Sequence, residues 1–162
     1  MFASVILFAA LSITACGGGN DDPEIPAQSE TTKPSEGNHE ETDESMKMNI
    51  IIGDKTITAT MEDNATGRDF LSRLPLEVTL EDFNNTTEKI FYPDPALDMA
   101  GVKRGCAPVP GDITIYAPWK NVAIFCKNWP YSNDLIKIGH IDGDGIDALR
   151  TTGDIKVKFE QQ

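Results

Sequence analysis

Residues 122–126, Val-Ala-Ile-Phe-Cys, carry no polar side chain on either parity. A strand that is short and wholly apolar has to be covered on both faces, which suits a central strand and excludes a solvated edge. Just before it, residues 112–116 alternate, with Ile113 and Ile115 on one face and Asp112, Thr114 and Tyr116 on the other. Pro118 and the Trp119-Lys120-Asn121 run supply turn chemistry between the two. The stretch 110–127 therefore reads as two neighbouring strands and their turn, and the rest of the domain is organised around this pair.

Further strand-like runs cover 48–52 and 55–61, joined by Gly53-Asp54 as a two-residue hairpin turn with glycine where positive φ is needed. Ile57, Ala59 and Met61 form the inward set of the second run. Asp63 or Asn64 caps a helix to about Leu74, with Phe70, Leu71 and Leu74 on one stripe and Pro75 ending it. Strands follow at 77–82 and, after the Asn84-Asn85-Thr86 turn, at 88–92. Residues 135–141 make another, with Ile136, Ile138 and His140 on one face. A short helix over 144–150 and a last strand over 155–160 complete a mainly β fold of about eight strands and two short helices.

The chain has 162 residues and a formal charge of −12, and that charge is unevenly placed. Residues 17–45 hold nine acids against Lys33 alone, which leaves −4 on residues 46–162. Neither part is basic, so nucleic acid is not an expected partner. The apolar run 1–15 is too short to span a bilayer comfortably but matches the hydrophobic region of a secretory signal. Ile13-Thr14-Ala15-Cys16 resembles the bacterial lipobox, in which the cysteine is acylated and becomes the new N-terminus. That resemblance implies a membrane partner through lipid on Cys16, and Gly17, where a retention signal would place Asp, implies the outer membrane. An ordinary signal peptide with an incidental Cys16 is the alternative. Residues 16–45 then form an acidic linker, since Ile25 is the only large apolar side chain over 17–45. One folded domain is expected over 46–162.

Residues 93–110 hold Pro93, Pro95, Pro108 and Pro110 without periodicity. A connection of that length is a binding loop or a cover over a barrel edge. Asp142, Asp144 and Asp147 in the run Asp-Gly-Asp-Gly-Ile-Asp bring a calcium loop to mind, but Ile146 stands where an oxygen ligand is required, and a turn with a helix cap explains them better. No Ser-His-acid spacing and no phosphate loop occurs, and there are only two histidines. No cofactor and no metal is expected.

The phrases ITATMEDNATGRDFLSRLPLEVTLEDF, EKIFY, PGDITIYAPWKNVAIFCK and IKIGHIDGDGIDAL resemble the cyclophilin-like domain of small bacterial proteins. A helix ending in Leu74-Pro75, the Glu88-Lys89 pair, Gly111-Asp112 and Ile138-Gly139 recur there in this order. The resemblance covers about residues 47–160 and implies a closed cyclophilin-like β-barrel. Prolyl isomerisation by cyclophilins depends on an arginine set beside Phe and His on a barrel strand, and no Phe-His-Arg sequence exists here. Arg68 and Arg73 lie on the first helix and Arg150 on the second, so Arg104 alone is expected to reach a groove.

Two function classes remain open. One is a non-catalytic binding module holding a peptide or small molecule among Tyr92, Arg104, Tyr116, Trp119, Trp129 and Tyr131, although these aromatics also suit barrel caps. The other is a peptidyl-prolyl isomerase or chaperone for envelope proteins. Cys106 and Cys126 remain after lipidation of Cys16, and they form either a disulfide that pins the long loop or a pair of free thiols.

Overall fold

A computed structural model describes residues 46–162, so the expected signal run 1–15, Cys16 and the acidic segment 16–45 lie outside the described residues. Eight antiparallel strands close on themselves. They are β1 (Lys47–Ile52), β2 (Lys55–Met61), β3 (Leu76–Phe83), β4 (Glu88–Phe91), β5 (Asp112–Tyr116), β6 (Asn121–Phe125), β7 (Leu135–Ile141) and β8 (Ile155–Gln161). Their order around the barrel is β1-β2-β7-β5-β6-β4-β3-β8, with β8 returning to β1. Closure leaves no row of unpaired backbone groups at an edge.

The local chemistry behaves as expected at most joints. Gly53 turns β1 into β2 at φ 57, a left-handed backbone that glycine adopts without a Cβ clash. Asn64 caps helix α1 (Ala65–Ser72), its Oδ1 accepting from the Gly67 amide at 2.9 Å. Phe70 on α1 packs edge-on against Phe91 and Phe159, with ring centroids 6.4 and 5.5 Å away. The expected second helix is a five-residue 3-10 helix, Gly145–Leu149. No side chain caps its start, and it holds only i to i+3 bonds such as Asp147 N–H to Asp144 O at 3.1 Å. Its Leu149 carbonyl lies 3.8 Å from Cys126 Sγ. Phe91 pairs with Val122 at one end of β6 and Cys126 follows the other end, so α1 and the 3-10 helix plug opposite mouths of the barrel.

Between the plugs the interior is filled by Met48, Ile50, Ile113, Ile115, Val122, Ile124, Ile136 and Phe159, all buried. One ion is buried with them. Lys89 on β4 is fully enclosed, and its Nζ donates to the Thr151 and Gly153 carbonyls at 2.6 and 2.7 Å and sits 3.3 Å from Asp82. The Gly153 amide, the Thr86 hydroxyl and Lys89 hold the Asp82 carboxyl below the usual range.

One expected face is wrong. His140 does not share a face with Ile136 and Ile138, because β7 carries an extra residue opposite β5: Ile113 faces Gly139, while Thr114 faces Lys137. The bulge at Ile138 flips the alternation, so Ile141 enters the core and His140 points outward with Lys137. There they meet Asp112, whose Oδ1 is 2.8 Å from His140 Nδ1 and 2.7 Å from Lys137 Nζ.

Candidate functional site

The antiparallel ladder forces a second apolar surface on the outside of the barrel. Both β6 and β7 run antiparallel to β5, so they are parallel to each other, and residues 126–134 have to travel back the full length of a strand. The interior is filled, so this connection lies along the outer face. Its Trp129 ring stands 6.5 Å from Phe125, and Ser132 exchanges two backbone hydrogen bonds with Cys106, at 3.2 and 3.0 Å. That cover explains why the outward residues of β5 and β6 are buried although β5 alternates polar and apolar. Ile90, Ala123, Phe125 and Leu135 form this outer cluster, with Tyr116 and Cys106 packed against it.

The cover is incomplete, and a groove of about 330 Å³ remains. Its floor is Ile90, Phe125 and Leu135, and one wall is Trp129 and Ser132. Trp119, carried by the β5–β6 turn, folds back over the sheet as a roof. It meets Tyr116 and Phe83 edge-on, with centroids 5.3 and 5.9 Å apart. The turn bends far enough for this because Lys120 takes φ 60.

Polar groups also line the groove: Asn84, Glu88, Asn121 and Asp134. Asn121 is only 2 % exposed, and its Oδ1 is buried without a hydrogen-bond partner. Its Nδ2 reaches only the Val122 carbonyl, at a long 3.4 Å. Glu88 is half-buried on the outward parity of β4, and burial alone pushes its carboxyl above the usual range. Beside the groove, Asp112 behaves in the opposite way. Burial would raise its carboxyl, but Lys137, the Val109 amide and His140 together hold it below the ordinary value. Its Oδ2 accepts from the Val109 amide at 3.0 Å, so Asp112 ends a turn as well as pairing with Lys137 and His140.

With the geometry in hand, comparison with known proteins is specific at the family level. The model of the cyclophilin-like family matches residues 50–160. The chain belongs to the cyclophilin-like family. No curated protein matches it. Among solved structures, it is similar to the solution structure of the hypothetical protein AF2241 from Archaeoglobus fulgidus. That likeness has a TM-score of 0.54 at 17 % identity and covers 73 % of this chain and 95 % of that one. It is a likeness of fold.

On this cyclophilin-like barrel, three of the six aromatic and basic residues singled out from the sequence come together. Tyr116, Trp119 and Trp129 line the groove. Tyr92, Arg104 and Tyr131 do not. Tyr92 leaves the sheet one residue after β4 ends, and is exposed. Tyr131 folds over Gly105 instead, where an added Cβ would clash with its hydroxyl, and it donates to Asn133 Oδ1 at 3.2 Å. Arg104 is exposed in the loop beside Gly105, whose amide is tied to the Leu135 carbonyl at 2.8 Å. No lysine or arginine lines the groove, so the arginine expected to reach it is absent from it.

Phe83, Glu88, Ile90, Asn121, Phe125 and Leu135 are groove residues that sequence reasoning did not single out. The signal for two of them, Asn121 and Phe125, lay in parity. Once 122–126 is read as covered on both faces, Asn121, Ala123 and Phe125 share the face that does not enter the barrel.

Cys106 and Cys126 are free thiols in the structure. Cys126 belongs to the interior cluster and Cys106 packs on the outer one, so the sheet stands between them. The long loop is held by backbone pairing at Cys106 rather than by a covalent bond. Burial pushes both thiols above their ordinary value, which leaves them poor nucleophiles.

Proposed function

We propose that the protein is a membrane-anchored binding module of the bacterial envelope, held by lipid on Cys16 and holding a small ligand in the outer groove of its barrel. The observation that carries the binding role is the Asn121 side chain, which lines the groove with a buried oxygen that nothing among the described residues satisfies. An orphaned buried acceptor costs roughly 1–3 kcal/mol, and a purely structural groove would evolve it away. The rings of Tyr116, Trp119 and Trp129 around it supply contact area without much loss of rotamer freedom. The anchor is supported by the lipobox-like spacing at Ile13-Thr14-Ala15-Cys16, and the outer membrane by Gly17 after the cysteine.

Two experiments test the two halves. The full-length protein is screened by thermal shift against metabolites and short peptides. A ligand at about a hundred times its Kd raises stability by about 2.7 kcal/mol, and Trp119→Ala should remove that gain while leaving the unliganded protein cooperative. A screen with no stabilising compound, or a hit indifferent to Trp119→Ala, defeats the groove. Cys16→Ser should release the protein from sedimented membranes and abolish labelling with a radioactive fatty acid; unchanged sedimentation without label defeats the anchor.

A further inference from the structure

Granting that the groove binds a ligand, as proposed above, its polar groups restrict the chemistry that fits. Of its twelve lining residues none is Lys, Arg or His, whereas Glu88 and Asp134 are acids. The acids lie at opposite ends. Glu88 pairs with Phe125 across β4 and β6, while Asp134 precedes Leu135, which pairs with Tyr116, itself the partner of Asn121. Asn121 and Phe125 are four residues apart on one extended strand, which is about 13 Å. Ile90, Phe125 and Leu135 keep the floor between the ends apolar.

Each end holds an oxygen acceptor without a partner among the described residues. At one, the Asn121 oxygen is buried and unpaired; at the other, burial is the whole cause of the raised Glu88 carboxyl, with no cation beside it. Tyr116 and Trp119 at the first end and Trp129 near the second offer ring faces that attract positive charge. We propose that the groove binds a linear diammonium ion, an aliphatic chain with an N–H-bearing positive charge at each end, one meeting Glu88 and the other Asn121 and Asp134. A neutral or anionic chain leaves the Glu88 carboxyl desolvated without a counter-charge. A quaternary ammonium brings charge but no proton for the Asn121 oxygen, and a monoamine satisfies a single end.

The test uses the full-length protein, whose two tryptophans, Trp119 and Trp129, both report on the groove. Fluorescence and isothermal calorimetry are followed on titration with octamethylenediamine, octylamine, octanediol and the N-permethylated diamine. The diamine should bind at least about tenfold more tightly than octylamine or the permethylated form, because charge-assisted bonds are made at both ends, and the diol should give no saturable signal. Glu88→Gln should bring the diamine to the level of octylamine. Equal binding of diamine, octylamine and diol overturns the diammonium assignment and leaves the groove a binding site. A blocked dilysine peptide that outcompetes the diamine overturns it in favour of a peptide ligand. No heat and no quenching with any probe overturns the assignment, and a wider ligand screen that also fails removes the binding role with it.

Discussion

Glu88 and Lys89 are neighbours on one strand, and their side chains leave it on opposite faces of the barrel wall. Lys89 enters the interior, where its ammonium donates to two carbonyls of the 151–153 turn and pairs with Asp82. Glu88 goes outward to a less buried place and meets nothing among the described residues that offsets its desolvation. The deeper charge is the satisfied one. Depth by itself therefore does not mark a functional group here; Glu88 stands apart because it is partly buried with no cation lining the groove beside it.

Placing a carboxylate where no partner exists should break the inner face outright. Ile124→Asp puts an unpaired charge among Ile113, Ile115 and Val122, at a cost of several kcal/mol, and the expected result is insoluble or non-cooperative protein in expression and melting trials. A folded variant would mean that the interior admits water.

Removing the satisfied charge should also be severe. Lys89→Met keeps the stem but orphans the Thr151 and Gly153 carbonyls and leaves Asp82 unpaired, for a loss of about 3–5 kcal/mol by chemical denaturation. A loss under about 1 kcal/mol would mean that the 151–153 turn does not depend on the ion.

Asp112 separates location from pairing, since it faces outward yet has the Lys137 ammonium and the His140 ring as partners. Its carboxyl is held below the unfolded value near 3.9, so the stability it contributes is complete above that pH and is lost as pH falls through the lower folded value. Asp112→Asn should lower stability at pH 7 by about 2 kcal/mol and flatten the acid limb of the stability profile. An unchanged acid limb would remove the Lys137 and His140 pairing from the account.

The smallest effect has the opposite sign. The folded state raises the Glu88 carboxyl, so its ionisation opposes folding as pH climbs past the ordinary glutamate value. Glu88→Gln should slightly raise the melting temperature at pH 7 and leave it unchanged at pH 3. A melting temperature that falls at pH 7 would show that Glu88 has a partner after all.

Most of the barrel was legible because inside and outside alternate with period two, and the turns use glycine, asparagine and proline for reasons visible one residue at a time. The His140 face was not legible, since a single inserted residue at Ile138 depends on what β5 opposes to it. The groove was half legible. Tyr116 and Trp119 sit in the turn that announced the central pair, whereas Glu88, Phe83 and Asn121 acquire their roles only when β3, β4 and β6 are laid side by side. No periodicity within one strand reports that neighbourhood.

The strand that closes the barrel, β8, pairs with both β1 and β3, and it comes after every other strand in the chain. During synthesis the ribosome therefore holds an open sheet whose two free edges, Met48 to Ile51 and Leu76 to Leu80, wait for the same late segment. A stop codon anywhere before residue 155 would leave both edges bare, and such a fragment should be a target for aggregation and proteolysis rather than a smaller working domain.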